Sequence, residues 1–231
     1  MTIATREKQE LITFLFQTQA LLFGRYTLKS GRVSPYFFNS ARFRTGAQLA
    51  QLGEYFAAAI AQAAPKATIV FGPAYKGIPL SIAAAMALTR QTGREIGYLF
   101  NRKEAKGHGD QGQFVGQTPG PEDRLVLVDD VITDGETKRE AVEALRAAFP
   151  HSPIDALVIA LDRMEQNAQG EDAVRQFESR TGIPVVALMT LSDLEAVLTA
   201  FQIQPPPGLI LPPGLAGDIR TYRERYGVTR T

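Results

Sequence analysis

Apolar residues recur at Leu11, Ile12, Leu15, Phe16, Leu21 and Leu22 with near-helical spacing, so residues 7–23 are predicted as an amphipathic helix. The rhythm then shortens. Residues 26–39 (YTLKSGRVSPYFFN) hold two β-prone runs around Ser30-Gly31-Arg32, which predicts a hairpin. Residues 48–64 are alanine-rich and helical, Ile69, Val70 and Phe71 form a buried strand closed by Gly72-Pro73, and a second alanine-rich helix runs from 79 to about 90. Strand 96–100, a long polar connection 101–121, strand 125–128, helix 138–149, strand 157–161, helix 172–180 and strand 185–189 follow in order. The proline-rich stretch 204–213 reads as extended, and a short helix over 218–226 ends the pattern. There is no internal repeat.

Strands alternating with helices predict an α/β fold, a mostly parallel central sheet flanked by helices on both faces, with ligands at the carboxyl ends of the strands. The chain has 231 residues, 45% hydrophobic and 21% charged, enough for a sizeable core in a single domain. Lys and Arg number 25 against 24 Asp and Glu, so no overall field draws the protein to nucleic acid or to an acidic membrane. With no cysteine and two histidines, disulfides, thiolate chemistry and a zinc centre built by the protein are not expected. The first 16 residues mix acidic and polar groups among apolar ones and lack the layout of a secretory signal. No apolar stretch approaches the ~20 residues that span a bilayer. A cytoplasmic location is the expectation.

The densest chemistry lies in residues 125–137, LVLVDDVITDGET, where an apolar strand ends in Asp129 and Asp130 and a Thr-Asp-Gly turn opens a helix. Carboxylates accept hydrogen bonds from both hydroxyls of a vicinal diol, and unpaired amides opening a helix attract a phosphate, so a ribose phosphate suits both. The competing reading is an acidic helix cap facing water. There is neither a GxxxxGK[ST] loop nor a GxGxxG fingerprint. A second segment, Gly72-Pro73-Ala74-Tyr75-Lys76-Gly77, reads as a pyrophosphate loop with a cation beside exposed amides, or as an ordinary strand-to-helix turn with a solvated lysine. Residues 101–115, NRKEAKGHGDQGQFV, are too long and glycine-rich for a passive joint. They read as a lid whose Arg102, Lys103, Lys106 and His108 close over a polyanion, or as a surface loop. Arg163, just after a buried strand, suits a ligand carboxylate or a structural pair with Asp162 or Glu165. In the hairpin, Lys29 offers a charge and Phe37-Phe38 a flat wall for a planar ring, although adjacent phenylalanines are more often plain core.

Taken together, these segments resemble the bacterial orotate phosphoribosyltransferases, which make orotidine 5′-monophosphate and pyrophosphate from orotate and phosphoribosyl pyrophosphate (PRPP). The match runs from the first helix to YRERYGV near the end; the VLVDDVIT-type strand and turn is shared by phosphoribosyltransferases in general, whereas TLKSGRVSPYFFN, FGPAYKGIPL, FNRKEAKGHG and LDRME are specific to the orotate enzymes. The resemblance implies the type I phosphoribosyltransferase fold, with a small hood in about residues 1–45 and the C-terminal tail. Lys29 contacts PRPP and orotate, and Phe37-Phe38 belong to the orotate-binding hairpin. Tyr75 and Lys76 form the pyrophosphate loop. Arg102, Lys103, Lys106 and His108 become a catalytic lid that reaches the other subunit of a homodimer. Asp129 and Asp130 hold the ribose, Thr133, Asp134, Gly135, Glu136 and Thr137 cradle the 5′-phosphate, and Val131 and Ile132 also line the PRPP site. Arg163 and Thr133 meet orotate. Mg2+ enters with PRPP, and pyrimidine biosynthesis is the implied setting.

Family members often carry Ala-Gly-Thr-Ala where this chain has Asp134-Gly135-Glu136-Thr137. Two extra acids beside a phosphate weaken its binding unless their side chains point away and only the amides face the ligand. Two rivals remain open from sequence: a purine or uracil phosphoribosyltransferase, and a non-catalytic PRPP-sensing regulator acting on nucleic acid. The second would need a basic wing or recognition helix, which the charge balance does not suggest.

Overall fold

The computed structural model describes residues 5–28, 31–102, 112–133, 135–167, 169–203 and 211–228. Helix α1 (Thr5–Gln17) precedes a hairpin of β1 (Leu21–Thr27) and β2 (Val33–Phe38). Next come α2 (Gly46–Ala63), β3 (Ile69–Phe71), α3 (Gly77–Thr92), β4 (Gly97–Asn101), β5 (Phe114–Gly116) and β6 (Leu125–Val131). The chain continues with α4 (Glu136–Ala148), β7 (Ile154–Asp162), α5 (Ala173–Thr181), β8 (Val185–Thr190), α6 (Leu191–Ile203) and α7 (Leu215–Tyr226). The six-stranded sheet has the order β5-β4-β3-β6-β7-β8, parallel except for the antiparallel edge strand β5.

Period-two alternation builds two cores from one sheet. Val70, Val126, Val128 and Val158 face a cluster with α1, the hairpin, α2, α3, α6 and α7, while Ile69, Phe71, Leu125, Leu127, Leu157 and Ile159 face α4 and α5. Helix α2 starts where Thr45 and Gln48 close a reciprocal capping box, and α3 stops at Gly93, left-handed at φ +69°. Gly53 lets α2 and α3 approach closely: a Cβ there would lie 2.5 Å from the carbonyl oxygen of Ala83.

Several sequence expectations shift. Leu21 and Leu22 belong to β1 and not to the first helix, because α1 has ended at Gln17 and Leu21 and Leu22 pair with Phe38 and Phe37 in the hairpin. The connection 101–121 contains β5, whose Phe114 pairs with Asn101, and most of the proposed lid segment, residues 103–111, lies outside the described residues. Helix α6, which no reading anticipated, starts directly after β8. Of the predicted extended tail, residues 204–210 lie outside the described residues, and 211–214 lead into α7.

Candidate functional site

The sheet reverses its direction of growth at β3: the chain passes from β3 to β4 on one side and then returns to add β6 on the other. At such a switch point the loops leaving the two adjacent strands diverge and open a crevice. The segments that leave β3 and β6 are the Gly72–Gly77 loop and the Asp129–Thr137 turn, so topology alone makes them neighbours.

The loop is held by backbone proximity. A Cβ on Gly72 would sit 2.0 Å from the carbonyl oxygen of Gly77, and one on Gly77 would sit 2.6 Å from the carbonyl carbon of Gly72. The Ala74 amide donates to Asn101 Oδ1 at 2.9 Å, and the Ala74–Tyr75 peptide is cis. Tyr75 is 67% exposed. Lys76 Nζ reaches across to Asp130 Oδ2 at 2.9 Å.

Both aspartates are buried and belong to strand β6, which runs past the sequence-predicted end at Val128. Alternation therefore gives them opposite faces. Asp130, on the Val126 and Val128 side, accepts from Lys76 and from Ser40 Oγ at 2.7 Å. Asp129, on the Leu125 and Leu127 side, meets Lys138 Nζ of α4 at 2.6 Å, and its Oδ1 accepts the Asp130 amide at 2.8 Å. Burial pushes the Asp129 carboxyl up, and the negative charge of Asp130 adds to this against the pull of Lys138. Burial acts upward on Asp130 as well, but Lys76 and Ser40 outweigh it and hold that carboxyl below the ordinary aspartate range.

Helix α4 opens at Gly135, left-handed at φ +74°, a residue with no side chain of its own to cap the first turn. Amides opening a helix in this way attract an anion. The Glu136 carboxylate is drawn into an ion pair with Arg139, which also lies 3.5 Å from Glu143. This answers the sequence concern for one of the two extra acids, since the Glu136 charge is compensated on the helix surface.

After β7, Arg163 Nε donates to Glu165 Oε1 at 3.0 Å and to Tyr36 Oη at 3.3 Å. Arg163 Nη2 lies 2.8 Å from the same Glu165 oxygen, out of hydrogen-bond alignment, and is buried without an aligned acceptor among the described residues. Burial, then Glu165, push the Tyr36 hydroxyl well up. Tyr222 of α7 packs edge-on against Tyr36 at 6.1 Å, and burial pushes its hydroxyl up to about 12. The hairpin, the turn after β7 and the last helix therefore share one buried polar cluster.

Comparison with known proteins adds a lineage to this geometry. Residues 43–183 match the phosphoribosyl transferase domain family. The chain is 43% identical over 223 residues to an orotate phosphoribosyltransferase of Nitrosococcus oceani, covering 96% of each chain. The corresponding protein of Chromohalobacter salexigens is 42% identical, over 96% of this chain and 95% of that one. This chain belongs to the orotate phosphoribosyltransferase family. The crystal structure of orotate phosphoribosyltransferase from Francisella tularensis superposes with a TM-score of 0.79 at 34% identity, covering 95% of this chain and all of that one. The type I phosphoribosyltransferase fold expected from sequence, with its small antiparallel hairpin, is the fold observed.

Of the residues that the orotate phosphoribosyltransferase resemblance singles out, the structure brings Lys76, Asp129 and Asp130 together, with Val131, Ile132, Thr133, Gly135, Glu136 and Thr137 following directly. Arg102 enters the loop from the end of β4, its amide donating to the Gln113 carbonyl at 2.8 Å. Phe37 is partly exposed and stacks on Tyr26 at 5.5 Å, whereas Phe38 packs on the main core. The two phenylalanines thus divide between the readings of ring wall and core filler. Of the two partners sequence offered Arg163, the structure selects Glu165, and Asp162 instead accepts the Met164 amide at 2.8 Å. Lys29, Lys103, Lys106, His108 and Asp134 lie outside the described residues. Sequence reading missed Ser40 and Lys138. Lys138 had a legible signal, a cation in the first turn of a helix, where the macrodipole disfavours it. Ser40 had none.

Proposed function

We propose that this chain transfers the 5-phosphoribosyl group from PRPP to orotate, releasing pyrophosphate and forming orotidine 5′-monophosphate for pyrimidine biosynthesis. The observation that carries the reading is the convergence, at one switch point, of a glycine-tight loop with its lysine, two buried aspartates, and a helix start led by a glycine. An orotate ring nitrogen forms the new bond to the ribose anomeric carbon as the bond to the pyrophosphate oxygen breaks, and the proton the nitrogen carried leaves with the basic pyrophosphate. Positive charge builds on the sugar and negative charge on the leaving group. Asp129 and Asp130 bind the ribose hydroxyls and sit close enough to favour the cationic sugar. The amides of residues 131–137 hold the 5′-phosphate.

Lys76 and the exposed Tyr75 meet the pyrophosphate. Arg163 takes the orotate carboxylate, supported by its buried Nη2 group without an aligned acceptor. Thr133, Lys29 and the Phe37-Phe38 hairpin complete the orotate site, and Lys29 also touches PRPP. Arg102, Lys103, Lys106 and His108 form a lid that excludes water and donates to the leaving group, shared between the subunits of a homodimer. Asp129 and Asp130 are each already ion-paired with a lysine, which fits a magnesium ion held mainly by the oxygens of PRPP. When bound, that ion neutralises the pyrophosphate. The chain works as a single phosphoribosyltransferase domain, residues 1–231, in the cytoplasm. Among the described residues no helix is long and apolar enough to cross a membrane.

The test is to mix protein, orotate, PRPP and magnesium and follow loss of orotate absorbance, with uracil and purine bases in parallel. Orotate alone should be consumed. Consumption of uracil or a purine in its place would overturn the substrate assignment. Absence of pyrophosphate release with every base, together with salt-dependent binding of DNA or RNA, would instead point to a regulator.

A further inference from the structure

Lys138 is an unexpected residue for its position. It lies in the first turn of α4, where the helix macrodipole disfavours a cation, and its side chain is only 11% exposed. A buried ammonium is retained only when paired, and the pair here is with Asp129 at 2.6 Å. The two aspartates thus have one lysine each, but the lysines sit on different elements. Lys76 is 59% exposed and belongs to the loop that meets pyrophosphate, whereas Lys138 is fixed in a helix packed on the sheet.

We propose that Lys138 is a positioning residue, the permanent counter-ion of the Asp129-Asp130 pair, which lets Lys76 leave Asp130 to engage the pyrophosphate of PRPP. This rests on the functional reading above. A diphosphate offers Lys76 more negative charge than a single carboxylate, so binding PRPP draws Lys76 away from Asp130. Among the described residues, the two adjacent buried carboxylates then keep only Lys138 as a charged partner, with the neutral Ser40 hydroxyl still on Asp130. Without Lys138 they would either repel each other and the incoming pyrophosphate or take up a proton and lose an acceptor for the ribose. Burial already biases Asp129 toward that proton.

The device works only when Lys76 is called away, which distinguishes it from simple structural support. Ribose 5-phosphate has the diol and the phosphate but no pyrophosphate, so Lys76 stays on Asp130 and the loss of Lys138 is tolerated. PRPP and ribose 5-phosphate binding should therefore be titrated calorimetrically in the wild type, Lys138→Met and Lys138→Arg, with thermal melts to confirm folding. The expected result is PRPP affinity about tenfold weaker in Lys138→Met, little change for ribose 5-phosphate, and recovery of PRPP affinity in Lys138→Arg. Equal weakening of both ligands, or no weakening of PRPP, overturns the proposal. Should Lys138→Met fail to fold, Lys138→Gln, which still donates but carries no charge, should show the same selective loss. A wild-type protein that binds no PRPP would refute the functional reading itself, and a binding wild type with an indifferent Lys138→Met refutes only the counter-ion role.

Discussion

Replacing Gly72 by alanine inserts a single methyl at the tightest point of the site. The new Cβ would stand 2.0 Å from the Gly77 carbonyl oxygen, 2.5 Å from its carbon and 2.9 Å from Ser81 Cβ. Carbon and carbonyl oxygen settle at about 3.3 Å, so something must move by about 1.3 Å. Helix α3 cannot easily retreat, because its Ala83 already rests against Gly53 of α2, where a Cβ would meet the Ala83 carbonyl at 2.5 Å. The 72–77 loop must therefore shift, which carries Lys76 out of hydrogen-bond range of Asp130, now 2.9 Å away. A displacement of this size in positioned groups costs about a hundredfold in kcat/KM for PRPP, and the overpacking costs ~1–3 kcal/mol of stability. Initial rates of orotate consumption, paired with thermal melts, measure both. Gly93→Ala is the control: it is strained at φ +69° but its Cβ meets nothing within 4 Å, so it should lose stability and keep its rate. Wild-type kcat/KM in Gly72→Ala, or an equal loss in Gly93→Ala, would refute the reasoning.

Removing Arg139 should take that ion pair from Glu136 beside the start of α4 and raise KM for PRPP severalfold, with Glu136→Gln in the double variant restoring it. Additive effects would show that the pair has no bearing on the phosphate site. Alkaline stability reports the Tyr36–Tyr222 cluster: the Tyr222 hydroxyl is pushed up to about 12 in the fold against an unfolded value of about 10, so its contribution is intact below pH 10 and is lost as pH rises toward 12. Denaturant titrations across that window should fall less steeply in Tyr222→Phe, by about 1.4 kcal/mol per pH unit, and an unchanged slope would contradict the assignment. Lys106→Ala should lower kcat far more than it weakens PRPP binding, and unchanged turnover would remove the lid from the mechanism.

Much of the sheet was legible because strands buried on both faces read as unbroken apolar runs, as in Ile69-Val70-Phe71 and Leu125-Val126-Leu127-Val128. Their ends were not legible. Asp129 and Asp130 look like the start of a turn in one dimension, yet Asp129 still pairs with Ile159 in the β6–β7 ladder. That extra length sends the two carboxylates to opposite faces and selects different lysines for them. Edge strand β5 is three residues long and takes its identity from β4. Helix α6 escaped notice because it follows β8 without a break, its start marked by Asp193, which accepts from the Thr190 amide at 2.9 Å and meets Lys8 of α1 at 2.5 Å. Short motifs named the chemistry, but Ser40 and Glu165 act across 90 and 129 residues of sequence separation, on Asp130 and Tyr36. Only the fold brings such pairs together.

The central claim is that the carboxylates ending β6 grip the ribose while the start of α4 holds its phosphate. A crystal structure with bound orotidine 5′-monophosphate tests it most directly. The account predicts oxygens of Asp129 and Asp130 within about 2.6–3.2 Å of the ribose hydroxyls and the 5′-phosphate on the amides before α4. A nucleotide whose pentose lies away from both aspartates would contradict it.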